Sequence, residues 1–171
     1  MKRLIIADTG PLIIFAKSKK LGILSAMTSQ ILVTNTVMHE CTDDTSKQGA
    51  NLVLRAFEDQ TLSLIDDVVI NDELSRTILD DGEKSAIALA MSMRDQNPSI
   101  LIDEVRGRDV ARKNGLIVIG SAGILIAAKK IGLIQNVEEI IIEWQALGYF
   151  LSHSLIKEVL IKAGELNANR S

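Results

Sequence analysis

Aromatic residues are scarce in this 171-residue chain. Three Phe, one Tyr and one Trp amount to 3% of it, so stacking on nucleobases is a poor candidate for its main mode of recognition. Cys41 is the only cysteine, which excludes an internal disulfide and suits a reducing compartment. With that one thiol and two histidines, His39 and His153, a closed structural zinc site lacks its ligands. The net charge is -3 and the pI about 5.4, so the chain is no general polycation. Contact with nucleic acid must run through a local basic stripe or through metal ions. No apolar stretch approaches the roughly 18–20 residues of a membrane span. The apolar run Leu4 to Ala7 is too short for a signal peptide. No membrane partner and a cytoplasmic location are expected.

What remains is ordinary globular material, 47% hydrophobic and 24% charged, long enough for one sizeable core. Short apolar runs alternate with helical periodicity. Strands are expected over 4–7, 31–34, 62–65 (an edge strand), 100–102 and 117–119. Helices are expected over 12–18, 21–27, from Thr36, 51–59, 71–79, 82–94, 104–114 and 125–130. Leu21, Leu24 and Ile23 are expected to face inward in the second helix. The 82–94 helix carries Ala86, Ile87, Ala90 and Met91 on one stripe. The polar segment 42–48 is expected on the surface, and Gly132 to stop the helix before it. The tail 136–166 reads as two helices around Gly148. Such alternation predicts an α/β fold with a mostly parallel central sheet and helices on both faces.

Four carboxylates stand where apolar runs stop or helices begin. Asp8 ends LIIAD, Asp103 ends SILID, Glu40 closes NTVMHE and Glu83 opens EKSAIALAM. In an α/β fold these places converge on one edge of the sheet. Acids gathered without bases repel one another, and a divalent cation is the usual compensation. Each acid also has a plainer reading. Asp8 is placed to cap the helix after Pro11, and Glu40 to be a solvated helix residue. Asp80-x-x-Glu83 resembles a capping box built on Asp, with Asp81 and Glu83 able to cap and still lend an oxygen to a cation. Asp103 and Glu104 precede Arg106, Arg108, Arg112 and Lys113, an acid at a strand tip followed by a basic helix. That suits a phosphodiester; its plain alternative is a solvated helix face balanced by its own acids.

Other motifs carry less. Asp-Thr-Gly at 8–10 is the phrase of aspartic proteases, but that chemistry needs two copies in an all-β frame. VIGSAG at 118–123 matches neither the P-loop nor the dinucleotide fingerprint; it reads as a tight strand-to-helix turn, with Ser121 able to touch a metal-bound water. Ile140, Ile141, Trp144, Leu147 and Phe150 share one side of the tail, for core packing or subunit contact.

The order of these phrases, IADTGPLI at 6–13, VTNTVMHE at 33–40, LDDGEKSAIALA at 79–90 and LIDEVRGRDVARKNGLIVIGSAGILIAAKKIGLI at 101–134, resembles PIN-domain nucleases. The resemblance is to VapC-like toxin relatives with a C-terminal helical extension. It implies a three-layer α/β/α fold, with a PIN-like domain over 1–135 and the extension over 136–171 packed on the same domain. It also implies a Mg²⁺- or Mn²⁺-dependent endoribonuclease in which Asp8, Glu40, Glu83 and Asp103 hold the metal. Many relatives have aspartate at the third acid, where this chain offers Glu83 with Asp81 nearby. Thr9 and Ser121 are the expected accessory groups for water or phosphate, with Glu104 beside the fourth acid. Arg106, Arg108 and Arg112 are expected at the RNA backbone. The expected partners are RNA, a small antitoxin and a second copy of the chain. The alternatives are a catalytically weak PIN-like module that binds RNA or protein, and a small metal-dependent phosphatase, which the motif order disfavours.

Overall fold

The computed structural model describes residues 3–167 of the chain, so the last four residues of the expected extension lie outside the described ones. Two compact units divide at Gly120/Ser121.

In the first unit β1 (Arg3–Ala7) leads into α1 (Thr9–Lys17) and α2 (Leu21–Met27), then β2 (Thr28–Thr34) into α3 (Asn35–Thr42) and α4 (Gln48–Glu58). Next come β3 (Ser63–Ile65), the single turn α5 (Asp72–Ser75) and α6 (Asp81–Ser92). After a 3-10 turn follow β4 (Ser99–Leu101), α7 (Val105–Lys113) and β5 (Ile117–Ile119). All pairings are parallel, in the order β3-β2-β1-β4-β5. The sheet is thus the expected one, with β3 at an edge. Its central strands are buried on both faces, from Ile5 to Ala7, Ile31 to Val33 and Ile100 to Ile102, which is why they read as unbroken apolar runs. With this order, the right-handed rule for parallel crossovers puts α1 to α4 on one face and α6 and α7 on the other, the arrangement of three layers.

The strand order reverses direction at β1. The chain first steps outward to β2 and β3, then returns to lay β4 against the other side of β1. The C-terminal ends of β1 and β4 therefore lie at the topological switch point, where open α/β sheets form the crevice that binds ligands.

Several bounds differ from the sequence reading for identifiable reasons. α1 starts at Thr9, directly after Asp8, because Pro11 is tolerated within a first turn. β2 begins three residues early, since polar Thr28 and Gln30 pair with Arg3 and Leu4. α5 ends at Ser75, where the Thr77 amide and hydroxyl both bond to the Leu74 carbonyl at 3.1 and 2.7 Å and close the turn. α6 is buried on nearly every side from Gly82 to Ala90 because it lies against β1, β2 and β4; Met91 is only half-buried.

The second unit holds α8 (Ser121–Lys130), α9 (Val137–Ala146) and α10 (His153–Lys162). Ile140, Ile141 and Trp144 are buried. Phe150, expected on the same side, is 77% exposed, because Gly148 at φ 85° turns the chain off the helix axis before it. Glu165 gathers the three helices: it accepts from Lys129 Nζ at 2.5 Å and from the amides of Val137 and Glu138 at 2.6 and 2.9 Å. Burial alone would raise its carboxyl, but these donors hold it below the usual glutamate range.

Candidate active site

Parallel pairing alone brings the four acids to one edge. Asp8 follows the last residue of β1, and its amide continues the ladder to the Leu101 carbonyl at 3.0 Å. Asp103 lies two residues beyond the end of β4, across the switch point. Glu40 sits on α3, which leaves the tip of β2. Glu83 is in the first turn of α6, which starts at the same edge and runs back towards the start of β4.

Asp8 is 6% exposed, occupies the N-cap position of α1 and makes no side-chain cap bond. The capping reading therefore does not account for it. Its Oδ1 is buried with no hydrogen-bond partner. Burial, with a smaller contribution from the charges of Asp80, Glu83 and Glu40, outweighs the nearby Thr9 amide and pushes its pKa up to about 8. Cys41, buried next to this group, is pushed up to about 12 by burial and by the charges of Asp8 and Glu40. It is an inert neighbour rather than a thiolate.

Glu83 does two things at once. Asp80 Oδ1 accepts from the Glu83 amide at 2.7 Å, and Glu83 Oε2 accepts from the Asp80 amide at 3.2 Å, a complete capping box. Its other oxygen, Oε1, is buried without a partner. Burial first, then the charges of Asp80, Glu104 and Glu40, raise its carboxyl against the lowering effect of the Asp80 amide.

Glu40 is tied down at both oxygens. Oε2 accepts from Thr9 Oγ1 at 2.5 Å and Oε1 from the Gly82 amide at 2.8 Å, so it is no loose helix side chain. Asp103 lies with the Arg108 guanidinium against Gly120: a Cβ placed there would meet Asp103 Oδ1 at 3.1 Å and Arg108 Nη1 at 2.9 Å. Asp81 is exposed in the first turn of α6, and Glu104 is the exposed residue preceding α7. Ser121 opens α8 in the second unit, buried. Arg106 is exposed, and Arg112 pairs with Asp109 at 3.5 Å within α7.

Chemically, this edge holds like charges and two buried oxygens without donors. Such oxygens accept protons or a hard cation. Among the described residues no three His, Cys, Asp or Glu side chains already stand in a ligating arrangement. Sequence reading took Asp80 only as a cap, whereas its charge raises both Asp8 and Glu83. The spacing gave no sign of Gly82, Gly107 and Gly120, which back onto the acids.

No helix among the described residues is long and apolar enough to cross a membrane. No curated protein matches the chain. A family model described as a PIN domain matches residues 4–165. That match covers the five strands but for Arg3, and the edge on which the acids meet, so the chain belongs to the PIN-domain family, whose members are generally nucleases.

Proposed function

We propose that this PIN domain is a divalent-metal-dependent endoribonuclease that hydrolyses RNA phosphodiester bonds at the β1/β4 crevice, as the toxin of a toxin–antitoxin pair. The observation that carries this reading is the pair of buried oxygens, Asp8 Oδ1 and Glu83 Oε1, without donors among like charges. They fit a hard cation, since Mg²⁺ needs only one or two carboxylates and keeps the rest of its shell as water. Asp8 and Glu83, with Glu40 and Asp103, would hold Mg²⁺ or Mn²⁺. When bound, the ion supplies an acidified water and stabilises charge on the phosphate.

The chain's own residues do the remaining work. Asp8 keeps a proton near neutrality without a cation, so metal uptake displaces that proton and strengthens as pH rises. The Thr9 hydroxyl and Gly82 amide fix Glu40 against the site. Arg106 and Arg108 on α7 offer guanidinium groups to the RNA backbone. A small antitoxin covering the acidic crevice, and a second copy of the chain, complete the expected partners in the cytoplasm.

The test is cleavage of a panel of structured and single-stranded RNAs by purified protein with Mn²⁺ or Mg²⁺, beside Asp8→Asn. Metal-dependent cutting that disappears in Asp8→Asn is the expected result, and full cutting by the mutant would sink the assignment. The lack of a ready three-ligand arrangement among the described residues favours one second reading, a weak or inactive PIN-like module that binds RNA or protein. Salt-sensitive RNA binding without cutting, by folded and metal-replete wild type, would select it.

A further inference from the structure

Gly82 and Gly107 lie inside helices without positive φ, so their backbone does not require glycine, and a helical glycine weakens a helix relative to alanine. Space requires it instead. A Cβ at position 82 would stand 2.2 Å from Glu40 Oε2 and 2.8 Å from its Cδ. The carboxylate fills the space that side chain would take, clamped between the Gly82 amide at 2.8 Å and the Thr9 hydroxyl at 2.5 Å. By contrast, a Cβ at Gly22, also helical, would meet nothing within 4 Å.

We propose that Gly82 is a positioning residue of the acidic site, its missing side chain being the seat that holds the Glu40 carboxylate between α6 and the start of α1. The relation recurs in the same site. A Cβ at Gly107 would stand 2.4 Å from Glu83 Oε1, and one at Gly120 3.1 Å from Asp103 Oδ1. Three of the four acids thus rest on a glycine from another segment. At Gly107 the buried Ile102 Cδ1, 2.5 Å away, also blocks a methyl group, so crowding there reaches the core. At Gly82 the obstacle is only the end of an exposed glutamate, which has water to move into.

The fold does not depend on that seat. α6 is fastened separately by its capping box and by the buried Thr34 Oγ1···Ser85 Oγ contact at 2.7 Å. An alanine at 82 therefore expels the Glu40 carboxylate while the helix stays docked. The position-82 amide and the Thr9 hydroxyl then lose their acceptor. The packing relation stands by itself; its effect on metal affinity rests on the proposed metal site.

The experiment compares wild type, Gly82→Ala, Glu40→Ala and Gly22→Ala in two measurements: amide exchange at residue 82 in metal-free protein, and Mn²⁺ affinity by calorimetry. Gly82→Ala is expected to keep a melting temperature close to wild type and to exchange its residue-82 amide about tenfold faster. It is expected to bind Mn²⁺ about 10–100-fold more weakly, the usual effect of losing an outer-shell support. Gly22→Ala should change neither. Unchanged exchange at residue 82 overturns the proposal whatever the metal does, and so does faster exchange with unchanged Mn²⁺ affinity. If Gly82→Ala does not fold, Glu40→Ala retains the glycine and must by itself release the amide. If wild type binds no Mn²⁺, the metal reading falls and the exchange measurement alone decides the seat.

Discussion

Replacing Asp8 with Asn should make the metal-free protein more stable, and increasingly so as pH rises. Folding lifts the Asp8 carboxyl from 3.8 to about 8, chiefly by burial. Between those values the folded chain holds a proton that the unfolded chain has released. Its contribution to stability is therefore complete below about pH 4 and is lost as pH climbs towards 8. At about 1.4 kcal/mol per pH unit, the whole window is worth roughly 6 kcal/mol, a ceiling that water entry and side-chain movement reduce. Asparagine keeps the neutral shape at every pH. Taking half of the ceiling between pH 5 and 8.5, Asp8→Asn should gain about 2 kcal/mol relative to wild type across that range. For a chain of this size that corresponds to about 4–8 °C in melting temperature. The assay is a pair of thermal melts in EDTA at the two pH values. A gap between mutant and wild type that stays constant with pH, or a mutant less stable at pH 8.5, would refute the account of Asp8 as a buried, cation-starved carboxyl.

Two further outcomes follow from other parts of the molecule. Arg108→Ala should weaken RNA binding in metal-free buffer and lower the salt dependence by about 0.7 per lost phosphate contact. Arg112→Ala should do less, because its guanidinium is already paired with Asp109; a larger effect of Arg112 in a binding titration would reverse that order. In the second unit, Glu165→Ala leaves the Val137 and Glu138 amides and Lys129 without their shared acceptor. It should cost about 1–3 kcal/mol in urea unfolding, and an unchanged midpoint would show the clasp to be idle.

The fold was legible in the sequence wherever one interaction dominated. α2 and β5 have the bounds read from their apolar runs. The edge position of β3 also followed from its short, weak run. Long-range pairing decided the rest. Thr28 and Gln30 belong to no apolar run and join β2 through their pairing with Arg3 and Leu4. Phe150 kept helical spacing on paper, but Gly148 had already turned the chain away. Within the site, strand tips and helix starts announced the acids, since chain direction alone puts them on one edge. Which group faces which acid is a matter of packing. That Glu40 should rest on Gly82 and Glu83 against Gly107 is written in no local pattern.

The placement of Asp8 and Asp103 just beyond the ends of two neighbouring strands, β1 and β4, from opposite ends of the first unit also bears on biosynthesis. A nascent chain carries Asp8, Glu40 and Glu83 well before it has β4, and β4 supplies both the second wall of the crevice and the route to Asp103. Until that strand emerges and docks beside β1, Asp103 has no place at the edge the other three acids share. The ribosome thus releases nearly the whole first unit before all four acids can meet.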